Sequence, residues 1–119
     1  MFLERKGNKK NRKGWIEVVC GSMFSGKTEE LIRRLRRAQF ANQKVQIFKP
    51  KVDSRYHQKN VVSHNKTTIN SIAVDRAADI LKLSKDIDVI GVDEAQFFDK
   101  ELTAVCVQLA NSGIRVIVA

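Results

Sequence analysis

Apolar and polar positions fall in blocks whose period switches between that of a strand and that of a helix. Trp15 to Cys20 is apolar apart from Glu17, the pattern of a strand covered on both faces in a parallel sheet. Thr28, Leu31, Ile32, Leu35 and Ala38 recur at spacings of three and four, which gathers them on one stripe of a helix running to Phe40. Glu29 and Glu30 stand in its first turn and Arg33, Arg34, Arg36 and Arg37 towards its end, as the helix dipole favours. Asn42 and Gln43 break the helix, Lys44 to Phe48 reads as a second strand, and Pro50 stops it. Val61 to His64 and Ile69 to Val74 predict a hairpin around residues 65–68, where the lack of glycine argues for a loop wider than two residues. Asp75 is placed to cap a helix through Ile80 and Leu81, with Lys82 and Lys85 near its end. Asp88 to Val92 is a further buried-type strand. Asp99 is expected to cap a helix through Leu102, Val105, Cys106 and Leu109, ended by Asn111, Ser112 and Gly113. Ile114 to Val118 closes the series as another strand. Strands alternating with helices predict an α/β fold with a mostly parallel central sheet flanked by helices.

With 119 residues, the chain is one domain or part of one. A hydrophobic content of 43% and a charged content of 29% describe a soluble globular protein. No apolar run reaches the length of a membrane span, and Met1 to Gly14 has no apolar centre for a secretory signal, so a cytoplasmic setting is expected. The net charge of +9 is uneven, because Arg5, Lys6, Lys9, Lys10, Arg12 and Lys13 against Glu4 give the first 14 residues +5 and leave +4 for the remainder. That stretch reads as a disordered basic arm, with residues 15–119 as the domain proper. A basic arm can serve nucleic-acid contact or solubility. The absence of aromatic residues from Gly7 to Gly14 favours solubility. The arginines of the first helix read as a solvated face on the same economy of explanation. Cys20 and Cys106 are far apart and in no Cys-x-x-Cys pair, which leaves no zinc ligands or disulfide framework in this chain and predicts two buried thiols.

Chemistry concentrates at two strand ends. Gly21-Ser22-Met23-Phe24-Ser25-Gly26-Lys27-Thr28 fits the pattern of two glycines bracketing four free positions, followed by lysine and a hydroxyl residue, set between a predicted strand and a predicted helix. The glycines let backbone N–H groups converge on phosphate oxygens, Lys27 adds a mobile cation, and the Thr28 hydroxyl can ligate magnesium. A nucleoside triphosphate is the direct inference. The second place is Asp93-Glu94-Ala95-Gln96, where a buried apolar strand ends abruptly in two acids. Beside a phosphate loop, Asp93 is expected to hold magnesium and Glu94 to take a proton from the attacking oxygen. Of Phe97 and Phe98, one is expected in the core and the other lining a pocket that excludes water from Glu94. The polar segment 49–56 follows a strand end, where α/β folds place ligand loops. Asp53 and Arg55 within it fit either a ligand contact or a local surface ion pair, and spacing prefers neither. His57 and His64 are too isolated to argue for metal or acid–base work.

Four motifs in order resemble the cytosolic, zinc-ribbon-bearing type of thymidine kinase. They are Gly-Ser-Met-Phe-Ser-Gly-Lys-Thr-Glu-Glu-Leu at 21–31, Lys-Pro-Lys-Val-Asp-Ser-Arg-Tyr at 49–56, Ser-His at 63–64 and Asp-Glu-Ala-Gln-Phe-Phe at 93–98. The resemblance implies a P-loop, RecA-like nucleotide-binding fold and transfer of the ATP γ-phosphate to the 5′-hydroxyl of thymidine or deoxyuridine, for pyrimidine deoxynucleoside salvage. By position, residues 21–28 with Asp93 and Gln96 would bind ATP, Thr28 and Asp93 would serve Mg2+, and Glu94 would be the base. Asp53 and Arg55 would stand near the transferred phosphoryl group, and Phe97 would border the nucleoside. The family commonly forms tetramers, so a homotetramer or dimer is implied. Nucleic acid and membrane are not expected partners.

The chain also departs from the family. There, the strand matching Ile114 to Ala119 leads into a lasso that encloses the thymine and a Zn2+ subdomain with four cysteines, neither of which lies in these residues. Ending in Val-Ile-Val-Ala reads as an interruption. Lys66 stands where the family usually has glycine. The expectation is a chain that binds nucleotide and is poor toward thymidine. Two other classes are compatible with the motifs: a nucleic-acid-dependent ATPase, in which Glu94 would activate water, and a nucleotide-binding module without catalysis.

Overall fold

The computed structural model describes residues 13–21, 26–51 and 69–119. The basic arm up to residue 12, the first half of the expected hairpin at 61–64, and both histidines lie outside them. Among the described residues five strands, β1 (Trp15–Val18), β2 (Val45–Pro50), β3 (Ser71–Val74), β4 (Val89–Val92) and β5 (Arg115–Val118), form one sheet in the order β1-β5-β4-β2-β3. Every pairing is parallel. Helices α1 (Lys27–Phe40), α2 (Ala78–Lys82) and α3 (Leu102–Asn111) link β1 to β2, β3 to β4 and β4 to β5. This is the expected α/β class.

Two apolar layers follow from the two-residue period of the strands. Ile47, Val89 and Ile117 face α1, where Leu31, Ile32, Leu35 and Ala38 cover them. Their neighbours Phe48, Ile90 and Val116 face the other way, against Ile80 of α2 and Val105, Cys106 and Leu109 of α3. Burial pushes the Cys106 thiol above its ordinary pKa. All four residues of β4 are buried, as befits a central strand sandwiched between helices. Gly91 in that strand is a packing requirement: a Cβ there would lie 2.8 Å from Leu35 Cδ1 and 3.0 Å from Leu31 Cδ1. Its absence lets α1 settle onto the sheet.

Several expectations are corrected. β1 is not covered on both faces; it lies at the edge of the sheet, and Trp15, Ile16 and Val18 are exposed. Cys20 is exposed as well, because it follows the strand at that same edge. Gly14 does not belong to an arm: its N–H donates to the Ala110 carbonyl at 3.1 Å, and a Cβ would meet the Ile114 carbonyl oxygen at 2.1 Å. Asp75 caps no helix; it is exposed and stands 3.7 Å from Lys51 Nζ, while α2 begins at Ala78 without a side-chain cap. Asp99 does not cap α3, whose N-cap is Glu101; its Oδ1 instead accepts the Ala77 N–H at 3.3 Å, near the start of α2. Of the α1 arginines only Arg37 stands in the last turn. Arg33 and Arg34 reach back to Glu30, so local ion pairs join the dipole in placing them.

Candidate active site

Parallel strands bring their carboxyl ends to one edge of the sheet, and the crossovers decide what stands there. β1 delivers Gly21 to that edge. The described chain resumes at Gly26, the N-cap of α1, with φ 87° and ψ 19°. This left-handed conformation suits glycine. It turns the chain so that the helix begins with Lys27 and Thr28, and the Glu30 N–H donates to the Gly26 carbonyl at 3.0 Å. Ser22, Met23, Phe24 and Ser25 lie outside the described residues, as do Asp53 and Arg55.

β4 delivers Asp93 to the same edge. Its carboxylate is buried, with 4% of the residue exposed. Asp93 Oδ1 accepts two hydrogen bonds, from the Thr28 hydroxyl at 3.1 Å and from the Glu94 N–H at 3.0 Å. The first joins the start of α1 directly to the end of β4, the strand on which α1 packs at Gly91. A hydroxyl and a carboxylate meeting in this way offer hard oxygen donors of the kind magnesium takes.

Glu94 stands next to this contact in a left-handed backbone conformation, φ 56° and ψ 45°, uncommon for a residue with a side chain. The surrounding bonds enforce it. Ala95 N–H donates to the Ala119 carbonyl at 3.0 Å, Phe97 N–H to Glu94 at 3.0 Å and Phe98 N–H to Ala95 at 3.0 Å. These close a short 3-10 turn, Ala95–Phe97, that breaks strand direction and turns the chain at Glu94. Gln96 Nε2 donates to Glu94 Oε1 at 3.4 Å. Phe98 packs against the core on the α3 side, whereas Phe97 is 48% exposed. The pair thus divides as the sequence suggests, one ring inward and one outward.

A second polar arrangement escaped the sequence reading. Glu17, the one charge in β1, accepts Arg115 Nε at 2.6 Å and Arg115 Nη2 at 3.1 Å, Arg34 Nη1 at 2.9 Å and Trp15 Nε1 at 2.7 Å. The Arg115 guanidinium also lies 5.7 Å from the centre of the Trp15 ring. The hydrogen bonds from Arg115, then those from Trp15 and Arg34, outweigh desolvation and hold the Glu17 carboxyl at a pKa of about 2. A charge inside an otherwise apolar strand was the available signal, but its partners are remote in sequence.

A parallel α/β sheet with Gly21 after its first strand, Gly26 at the start of the following helix and an acid pair at the end of a central strand places the chain in the class of α/β folds that carry their sites at the carboxyl edge of the sheet. The thymidine kinase family model matches residues 14–119, and the chain belongs to that family. It is 57% identical to the thymidine kinase of Bacteroides fragilis over 119 residues, 100% of this chain and 60% of that protein. It is 58% identical to the thymidine kinase of Bacteroides thetaiotaomicron over the same 119 residues, again 60% of the relative. To the thymidine kinase of Rhodothermus sp. it is 64% identical over 106 residues, 89% of this chain and 50% of the relative. The chain therefore spans between half and three fifths of the length of these curated relatives.

Proposed function

We propose that residues 15–119 form the ATP-binding part of a thymidine kinase, which transfers the γ-phosphate of ATP to the 5′-hydroxyl of thymidine or deoxyuridine in nucleotide salvage. The observation that carries this reading is the Thr28–Asp93 hydrogen bond of 3.1 Å, which joins the phosphate-loop helix to the acid pair. In this reading the backbone of residues 21–28 holds the phosphates and Lys27 balances their charge. Thr28 and Asp93 hold Mg2+, which when bound neutralises charge on the phosphate oxygens. Two protein oxygens suffice, because magnesium keeps waters and takes phosphate oxygens in such sites.

Glu94 is the proposed base. Its carboxylate takes the 5′-hydroxyl proton as that oxygen bonds to the γ-phosphorus and the bond from phosphorus to the ADP oxygen breaks. Gln96, hydrogen-bonded to Glu94, steadies the carboxylate beside the nucleotide, and the exposed ring of Phe97 borders the nucleoside. Asp53 and Arg55 are assigned to the transferred phosphoryl group on the family resemblance alone, which also supports a cytoplasmic, oligomeric enzyme. Among the described residues no helix is long and apolar enough to cross a membrane.

The test supplies labelled ATP with thymidine, with single-stranded DNA, or with neither, to the full-length protein. Label on thymidine is expected; DNA-stimulated phosphate release without it would overturn the kinase in favour of a nucleic-acid-dependent ATPase. Glu94→Gln should lower transfer by about 100-fold or more while ATP binding persists. Undiminished transfer would remove Glu94 from this role.

A further inference from the structure

Glu17 sits in the strand that feeds the phosphate loop, and Arg34 sits in the helix that leaves it, about two turns beyond Lys27. The loop is therefore framed by two elements that share one carboxylate. Arg115 of the neighbouring strand β5 binds the same group, so β1, α1 and β5 meet at Glu17.

Apolar packing alone does not fix such a frame. The α1 stripe of Leu31, Ile32 and Leu35 holds the helix against the sheet, but burial is non-directional and resists a small slide along the helix axis weakly. Hydrogen bonds with defined geometry resist it strongly. Arg34 is locked on both sides: its Nη1 donates to Glu17 at 2.9 Å and its Nε to Glu30 Oε2 at 2.8 Å. Glu17 and Arg34 are 20% and 32% exposed at their side chains, so the bonds stand at a partly solvated edge, and their resistance to sliding comes from their number and geometry.

We infer that Glu17 is a positioning residue for nucleotide binding: through Arg34 it sets where α1 lies along β1, and so the separation and angle of the two ends of the phosphate loop. This rests on the proposed nucleotide-binding role of residues 21–28. Neither side chain need touch the nucleotide. Their loss leaves the composition of the loop unchanged but lets its flanking residues, Gly21 and Gly26, shift relative to each other, and a misplacement of a fraction of an ångström at a binding site is costly.

Isothermal titration with MgATP tests this on the wild-type protein, Glu17→Gln, Arg34→Met, the double variant, and Val105→Ala as a control destabilised from the opposite face of the sheet. Measured well below each melting midpoint, affinity is expected to fall roughly tenfold in each single variant and by little more in the double, because both break one link. Val105→Ala should melt earlier and bind MgATP as the wild type does. Unchanged affinity in Glu17→Gln and Arg34→Met, or an equal fall in Val105→Ala, overturns the inference. If Glu17→Gln does not fold, Arg34→Met decides in the same way. A wild-type protein that fails to bind MgATP overturns the nucleotide-binding reading itself, a result distinct from binding that the variants leave intact.

Discussion

Gly91 and Glu94 sit three residues apart and pose opposite steric problems. Gly91 must lack a side chain, since a Cβ would press on Leu35 and Leu31. Both leucines are fully buried, with little room to yield. Gly91→Ala is therefore expected to destabilise the fold by about 1–3 kcal/mol, read as a lower urea midpoint at unchanged slope. Glu94 carries a side chain where glycine would be more comfortable, at φ 56°. A non-glycine residue held there costs on the order of 1 kcal/mol and persists only where its surroundings dictate it. The bonds from Ala95 to Ala119, and from Phe97 and Phe98 back into the turn, supply that constraint. The position of Glu94 after a buried strand marks it for chemistry, but nothing in residues 93–98 announces a left-handed turn. That conformation is set by the end of β5, remote in sequence.

Elements whose evidence is local were legible, and those defined by distant neighbours were not. The α1 stripe, the α3 stop at Asn111–Gly113 and the buried runs of β4 and β5 are written in spacings of a few residues. Sheet order is not, so the apolar run of β1 predicts a covered strand although the strand stands at the edge. The same blindness hid the partners of Glu17, since Arg115 is 98 residues away. Asp75 and Asp99 show the converse error: an acid in front of a helical pattern is a sound capping signal, yet Asp99 was taken by the Ala77 N–H of another element. Joining three elements through Glu17 has a pH signature. Its folded-state pKa of about 2 lies below the ordinary glutamate value of 4.5, so the native state favours the carboxylate. The full shift corresponds to about 3 kcal/mol, which screening at this partly exposed site reduces to on the order of 1–2 kcal/mol; that stability is present above pH 4.5 and lost as pH falls toward 2. Unfolding of the wild type and Glu17→Gln followed across that window should show a steeper acid loss in the wild type.

Across the whole molecule, one sheet carries two separate apolar layers, and the alternation of Ile47 with Phe48, Val89 with Ile90 and Ile117 with Val116 assigns them to opposite faces. Leu35 and Leu109 are nearly or fully buried on those two faces. Leu35→Ala and Leu109→Ala should each cost about 2–5 kcal/mol. With the sheet between them they should add to within about 0.5 kcal/mol in the double variant, measured by denaturant unfolding; strong non-additivity would mean that the layers repack as one. The interposed β5 has a further consequence. Neighbouring strands stand about 4.8 Å apart, so two spacings put β1 and β4 roughly 10 Å from each other. Were the two strands adjacent, the gap would shrink to one spacing. β5 thus acts as a gauge block, its thickness setting how far apart the loop strand and the acid strand are held, and that dimension is fixed by topology whatever side chains line it.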